Sequence, residues 1–370
     1  MPQILTINAG SSSVRFAIFS SGARAARLRD GKIERIGSEA TAAIADRLAH
    51  ECEAQSPAAP DAIGHRVVHG MLHSQPERVS RALLTELRSI AQFDPEHLPR
   101  EIELIEAMQR RYPDIPQVAC FDTAFHRGMP PKATLLPIPR RYAAKGVQRY
   151  GFHGLSFTFL MQELRRLGDG AASRGRIILA HLGSGASLAA VLDGGCIDTS
   201  MGFTPAAGLV MGTRSGDLDP GLASYLMLTE SMSAAQFQTM INQECGLLGI
   251  SESSADVRDL LERETTDSRA REAIAIFCYQ AKKWIGAYTA ALGGLDTLVF
   301  AGGIGENSPA MRRRICDGLQ YLGIELDDAR NVEHAACIST GRVVVRVIRT
   351  DEESVIASLT AQCLGLSPEK

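Results

Sequence analysis

Ile7-Asn8-Ala9-Gly10-Ser11-Ser12-Ser13-Val14-Arg15 lies between two short apolar runs, Ile4-Leu5-Thr6-Ile7 and Phe16-Ala17-Ile18-Phe19. Two apolar runs around a cluster of small polar residues predict strand, tight turn, strand. Gly10 lets a ligand approach the main chain closely, and the three serines add hydroxyl groups. Successive N–H groups in such a turn can ring an anion. The segment has neither the GxxxxGK[ST] nor the GxGxxG spacing of other phosphate loops. Taken alone, it reads equally as a phosphate-binding hairpin and as an ordinary serine-rich turn.

The pattern returns half a chain later. Arg176-Ile177-Ile178-Leu179-Ala180-His181-Leu182 precedes Gly183-Ser184-Gly185-Ala186-Ser187, and Leu188-Ala189-Ala190-Val191-Leu192 follows. A repeated strand, Gly/Ser turn and strand predicts two related domains, each opening on an anion-gripping hairpin. A third glycine segment, Ala301-Gly302-Gly303-Ile304-Gly305-Glu306-Asn307-Ser308, follows the strand-like run Thr297-Leu298-Val299-Phe300 and precedes a helix predicted from Pro309. Strand, glycine loop and helix bring N–H groups and a positive helix end to an anion. Helical periodicity is present at 41–53, 80–93, 100–111 and 269–292. The last of these has an apolar stripe of Ala273, Ile276, Phe277, Ala281, Trp284 and Tyr288. Short strands are predicted at 62–68, 118–121 and 343–348, and a loop running into a helix at 151–168. Strands alternate with helices throughout, so the fold class is α/β.

The chain has 370 residues, room for two or three domains. Its 45% hydrophobic and 22% charged content is that of an ordinary globular protein. A net charge of −3 provides no polycationic surface, so nucleic acid is not an expected partner. Eight scattered cysteines show no CxxC or zinc-knuckle spacing, a usage that fits a reducing compartment. No apolar run approaches the roughly 18 residues of a membrane helix. No basic, apolar leader precedes the first strand. The expectation is a cytoplasmic protein with no membrane contact.

Three glycine-rich turns after strands point to a polyphosphate gripped from several sides. Phosphoryl transfer also needs cations, a metal and carboxylates to hold it. Arg66 lies inside the apolar strand His65-Arg66-Val67-Val68-His69-Gly70. It is either a phosphoryl clamp or a core arginine paired with a structural carboxylate, since a buried guanidinium is costly without a partner. Arg214, in Met211-Gly212-Thr213-Arg214-Ser215-Gly216-Asp217-Leu218-Asp219, can hold a phosphoryl group or pair with Asp217 or Asp219. Asp122 ends a predicted strand, where α/β sheets bind ligands; it is a Mg2+ ligand, a nucleophile-orienting group or a helix cap. Glu352 is the second carboxylate. His153, between glycines in Tyr150-Gly151-Phe152-His153-Gly154, and His181 are either donors to phosphate or structural histidines. Asp256 and Arg258 suit a ribose and a base face, or a helix N-cap and surface charge.

Nine segments in order, INAGSSSV, GHRVVHG, FDTAFHRGMP, RYGFHG, HLGSGAS, MGFTPAAGLVMGTRSGDLDPG, GLLGIS, AGGIGENS and TDEE, make the chain resemble the acetate kinase family from Ile4 to about Ile356. The resemblance implies the actin-like ATPase (ribonuclease H-like) fold, with two domains flanking a nucleotide cleft. It divides the chain into 1–125 plus 354–370 as the N-terminal domain and 126–353 as the nucleotide-binding domain. It implies a homodimer and the reaction of ATP with acetate to give ADP and acetyl phosphate. Mg2+ is the implied metal, with Mn2+ the alternative ion.

By position, the resemblance puts Asn8, Ser11, Ser13 and Arg15 at the phosphate end, with Asn8, Asp122 and Glu352 at the metal. It makes Arg66, Asp122, His153 and Arg214 catalytic. It sets Arg66, Val68, Phe152 and Pro205 around the acyl group. His181, Gly183, Ser184 and Gly185 would face the nucleotide phosphates, and Asp256, Arg258, Gly303, Ile304 and Asn307 the adenosine. Transfer would be direct and in line, without a covalent enzyme intermediate. Propionate and butyrate kinases are the alternatives within this class, and a nucleotide-binding protein impaired in transfer lies outside it.

The sequence also departs from the family pattern. Arg15 replaces a lysine, Ser184 an asparagine and Phe157 a histidine. HGGE becomes His69-Gly70-Met71-Leu72, TNEE becomes Thr350-Asp351-Glu352-Glu353, and Glu96 stands where an apolar pocket residue is expected. The region 22–60 is shorter than is usual in the family.

Overall fold

The structure is a computed structural model that describes residues 2–10, 13–21, 26–34, 40–55, 59–168 and 174–366. Ser11 and Ser12 lie outside these residues. The chain forms two compact units. One comprises Met1–Arg127, Phe152–Phe159 and Asp351–Lys370, the other Gly128–Gly151 and Leu160–Thr350. No helix among the described residues is long and apolar enough to cross a membrane.

In the first unit, β1 (Gln3–Ala9) and β2 (Ser13–Ser20) form the opening hairpin, with Gln3 opposite Ser20 and Ala9 opposite Val14. Gly10 N–H donates to the Ser13 carbonyl at 2.9 Å across the turn. β3 (Ala26–Glu34) extends the sheet antiparallel to β2. β4 (Ala62–Val67) lies parallel to β1, β5 (Glu77–Arg78) is a two-residue edge, and β6 (Gln117–Phe121) lies parallel to β4. The order is β3-β2-β1-β4-β6-β5.

Alternation along these strands sorts the core into two layers. Leu5, Ile7, Ile63, Val67, Ala119 and Phe121 face helices Thr41–Gln55, Arg81–Ser89 and Leu98–Arg111. Ile4, Ala62, Val118 and Cys120 face the last helix, Glu352–Leu364, through Val355, Ile356, Ala357 and Ala361. Central parallel strands buried on both faces explain the continuous apolar runs in the sequence. The last helix seats closely because β4 offers a glycine: a Cβ on Gly64 would lie 2.3 Å from Thr360 Oγ1 and 2.7 Å from Ile356 Cγ2.

The second unit repeats the plan. β7 (Arg176–Leu182) and β8 (Ala186–Leu192) form its hairpin, and β9 (Gly195–Thr199) adds antiparallel to β8. β10 (Thr297–Ala301) runs parallel to β7, and β11 (Val344–Val347) parallel to β10. The order β11-β10-β7-β8-β9 is that of the first sheet without its two-residue edge. The α/β class and the repeated hairpin therefore hold.

Three sequence expectations change. β3 and β9 carry too little apolar alternation to be read; in β3 only Ile33 is buried. Gly302–Asn307 is a short helix rather than a loop. In helix Ser268–Leu292 the buried stripe runs through Ala270, Ile274, Cys278 and Ile285 as well as Ala273, Phe277, Ala281 and Tyr288, whereas Ile276 is exposed.

Replacing Gly64 with alanine is expected to lower stability by about 1–3 kcal/mol, the usual scale of overpacking a filled core. Urea denaturation measures it. An unchanged midpoint would mean that helix Glu352–Leu364 does not close on β4 in this way.

Candidate active site

Three parallel strands of the first unit end side by side. On the face of the last helix, the residue at or just beyond each carboxyl end is polar: Asn8 on β1, Arg66 on β4 and Asp122 after β6. Carboxyl ends of such strands are where open α/β sheets present ligand-binding groups. Arg66 Nε and Nη2 both donate to Asp122 Oδ2, at 2.8 and 2.6 Å. Its Nη1 donates to the Ala9 carbonyl at 3.2 Å and approaches Asn8 Oδ1 at 3.4 Å. Asn8 Nδ2 in turn donates to Glu352 Oε2 at 2.8 Å and Glu353 Oε1 at 3.0 Å. The result is one polar chain, from Glu352 and Glu353 through Asn8 and Arg66 to Asp122.

The Asp122 side chain is fully buried and that of Arg66 is 14% exposed. Burial pushes the Asp122 carboxyl up; Arg66 pulls it down and Glu352 adds to the rise. Burial works against the charge on Arg66, but the facing carboxylates of Asp122, Glu352 and Glu101 hold it firmly protonated. The pairing that the sequence left open for Arg66 is present, and it does not bury the arginine completely. The capping alternative for Asp122 also has a counterpart. Its Oδ1 accepts the Leu155 N–H at 3.3 Å, in the first turn of helix Gly154–Arg166, rather than capping the turn that follows it in sequence.

That contact brings the His153 loop to the same strand end. Gly154 N–H donates to the Asp122 carbonyl at 3.0 Å, and a Cβ at Gly154 would lie 2.0 Å from that oxygen. His153 itself has a left-handed backbone, φ 58°, unusual for a non-glycine residue. The loop is pinned by His126, whose Nε2 lies 2.9 Å from the Phe152 carbonyl. Burial lowers the His126 pKa to about 4, so the ring is neutral at pH 7 and donates there. Phe157, which replaces a histidine, is fully buried and packs edge-on to His126 and against Phe125. This departure therefore fills a core position.

Other departures also have local accounts. Arg15 is the cross-strand partner of Asn8, so it shares that residue's face of the hairpin. Asp351 caps the last helix, accepting Ser354 N–H at 3.0 Å, and aspartate and asparagine serve equally well there. His69, in the altered HGGE segment, stacks on Phe93 and meets Phe152 edge-on. Phe93 is therefore an aromatic neighbour on this side, and Glu96 is half-buried. Val68 is buried beside this group, its N–H donating to Glu101 Oε2 at 3.0 Å.

Sequence reasoning missed Glu101. It is buried on helix Leu98–Arg111 together with Leu98, Ile102, Ile105 and Met108. A charged residue on the apolar face of a 3.6-residue period is the signal that could have found it. Burial drives its carboxyl up to about 8, opposed by Arg66 and reinforced by Asp94.

In the second unit the glycine turns gather around the end of β7. A Cβ on Gly183 would lie 3.7 Å from Gly303 N, and one on Gly302 would lie 2.7 Å from the Leu182 carbonyl. Gly302 has φ 75°, so glycine is required on both counts. Ser184 carbonyl accepts the Gly212 N–H at 2.9 Å, and a Cβ on Gly212 would meet Ser184 Oγ at 3.2 Å and the Ala255 carbonyl at 3.3 Å. The Gly183–Gly185 turn, the Gly212 loop that leads to Arg214, the approach to Asp256 and the Gly303 segment are thus one neighbourhood. His181 pairs with Ser187 and Ala301 in the sheet. Asp256 caps helix Val257–Arg263 and pairs with Arg258, the arrangement anticipated as an alternative. Asp217 and Asp219 accept backbone N–H groups of Gly208 and Gly221. Gly303 and Asn307 are exposed, Ile304 is half-buried and Pro205 is buried.

Glu101→Gln should alter the pH dependence of stability. The unfolded chain releases this proton near pH 4.5 and the folded chain near 8, so stability falls as pH rises through that window. Glutamine keeps the acceptor for Val68 N–H but does not titrate. Its stability relative to the parent chain should rise from pH 5 to 8, measured by urea denaturation at each pH. A constant difference would contradict the assigned burial.

The sequence profile described as the acetokinase family matches residues 37–358. An acetate kinase of Nitrobacter hamburgensis is 41% identical over 98% of this chain and 96% of that protein. The crystal structure of Porphyromonas gingivalis acetate kinase superposes with a TM-score of 0.87 at 34% identity, covering 98% of this chain and 100% of that one. A propionate kinase from Francisella tularensis gives 0.88 at 34% identity and the same coverage. With the family profile spanning most of its length and relatives matched end to end, the chain belongs to the acetokinase family.

Proposed function

We propose that this member of the acetokinase family transfers the γ-phosphoryl group of ATP to acetate, giving ADP and acetyl phosphate in a direct, Mg2+-dependent, in-line displacement. The observation that carries the reading is the polar chain Glu352–Asn8–Arg66–Asp122 at the carboxyl ends of three parallel strands. An acetate carboxylate oxygen attacks the γ-phosphorus. The new O–P bond forms as the bond to the bridging oxygen breaks, and that electron pair leaves with ADP. No proton has to move, because acetate is already ionised at neutral pH.

Catalysis is then positioning and charge stabilisation. Arg66 and Arg214 take the charge of the transferring phosphoryl group, and His153 donates to one of its oxygens. Val68, Phe152 and Pro205 surround the acyl methyl, and Asp122 orients the acetate. Asn8, Ser11, Ser13 and Arg15 act at the phosphate end. The second unit binds nucleotide, with His181, Gly183, Ser184 and Gly185 toward the phosphates and Asp256, Arg258, Gly303, Ile304 and Asn307 toward adenosine.

The donor set fits a hard divalent cation. Asp122 and Glu352 supply carboxylate oxygens and Asn8 an amide oxygen, and the Asp122 carboxyl is already paired with Arg66. Among the described residues no three His, Cys, Asp or Glu side chains form a complete metal group. Mg2+ suits such a partial set, since it takes one or two carboxylates and completes its shell with phosphate oxygens and water. When bound, the ion would neutralise charge on the phosphates. Mn2+ is the alternative ion.

A homodimer is supported by helix Pro220–Thr229, which buries none of its residues and exposes Tyr225 by 61% and Leu228 by 83%. Exposed apolar surface of this kind marks association sites. The buried free cysteines support a cytoplasmic setting. Propionate is the second reading for the acyl substrate, because the propionate kinase structure is as similar as the acetate kinase one. One methylene in a pocket is worth only about 1–3 kcal/mol of discrimination.

Trapping the acyl phosphate with hydroxylamine tests the proposal across acetate, propionate and butyrate. The highest kcat/KM is expected with acetate. A higher value with propionate or butyrate would overturn the acyl assignment, and ATP binding without product would overturn the kinase. Arg214→Ala should lower kcat about 100-fold or more, the scale of losing one preorganised charge-stabilising donor.

A further inference from the structure

Glu306 lies within the glycine segment of the second unit, on the short helix Gly302–Asn307. Its Oε1 accepts two backbone N–H groups, from Gly302 at 2.9 Å and from Thr350 at 3.0 Å. Gly302 opens the segment, and Thr350 lies two residues before Glu352. One carboxylate oxygen therefore ties the start of the glycine segment to the stretch that follows β11.

The other end of the segment is held with opposite charge. Arg312 is fully buried on helix Pro309–Cys316, and its Nη1 donates to the carbonyls of Gly305 at 2.8 Å and Glu306 at 3.0 Å. Its Nε and Nη2 donate to Asn331, at 2.8 Å to Oδ1 and 2.7 Å to the carbonyl, and Nη2 also lies 3.4 Å from His334 Nδ1. The short helix Gly302–Asn307 thus has an anion on its N–H end and a cation on its carbonyl end, both favourable to the helix dipole. Between them, Asn307 Nδ2 donates to the Gly303 carbonyl at 2.9 Å, leaving Gly303 and Asn307 exposed.

We infer that Glu306 is a positioning residue for nucleotide binding, fixing Gly303, Ile304 and Asn307 by bridging Gly302 N–H and Thr350 N–H. The inference rests on the proposed nucleotide role of those three residues. It needs an acceptor oxygen at that distance from the main chain and not a negative charge. Glutamine therefore serves; aspartate, one methylene shorter, and alanine do not.

Calorimetric titration of MgADP into the full chain tests it, with thermal melting of each variant alongside. Glu306→Ala and Glu306→Asp should weaken ADP binding about 10-fold or more, the scale of leaving backbone donors without an acceptor. KM for ATP should rise in parallel, while KM for acetate stays within about 3-fold and Glu306→Gln recovers most of the affinity. Parent-like ADP affinity in the aspartate variant would overturn the inference. So would a glutamine variant as weak as the aspartate one. If the parent chain bound no ADP, the nucleotide reading itself would fall, an outcome distinct from both.

Discussion

A guanidinium at the end of a buried strand sets the terms for the first unit. Arg66 sits on β4 between β1 and β6, and a charge there needs partners that are themselves fixed. Asp122 supplies the main one through two hydrogen bonds to a single oxygen. The other oxygen of Asp122 takes the Leu155 N–H, and the Asp122 carbonyl takes that of Gly154. On the opposite side, Asn8 joins Arg66 to the first turn of the last helix. The last helix and the His153 loop are thereby tied to the same strand ends by a few polar contacts. Truncating either member of the ion pair would leave a buried charge exposed to the low dielectric around it.

The two sheets share a strand order, yet the corresponding ends are built differently. In the first unit the strand ends carry an amide, a cation and a carboxylate. In the second they carry glycines: Gly183 after β7 and Gly302 after β10. A charged side chain that is buried needs hydrogen-bonded partners, whereas a glycine turn lets an anion approach backbone N–H groups closely. One strand order thus ends in hydrogen-bonded polar side chains in the first unit and in glycine turns in the second.

Much of this was legible in the sequence because apolar runs and glycine turns are local signals. Both hairpins, the parallel strands and the long helix follow from them. β3 was hidden because it is an edge strand with one buried residue, Ile33, and a charged exposed face. The long helix was mis-phased at Ile276 because apolar residues occur on both sides of it. Arg66, Asp122 and Glu352 stood out individually and Asn8 through the family resemblance, and the four lie in one hydrogen-bonded chain. His126, Glu101 and Glu306 escaped because each acts on a main-chain group distant in sequence: Phe152, Val68 and Thr350. Phe157 read as a lost histidine, while three-dimensional packing makes it part of an aromatic core with Phe125 and His126.

The central claim is that Arg66 and Asp122 act as one unit in the chemistry. A double-mutant cycle on kcat/KM for acetyl phosphate formation, using Arg66→Ala, Asp122→Asn and the double variant, measures this most directly. The double variant should be no worse than the more damaged single one, within about 3-fold. Losses that multiply across the two substitutions would show that the residues act independently and would contradict it.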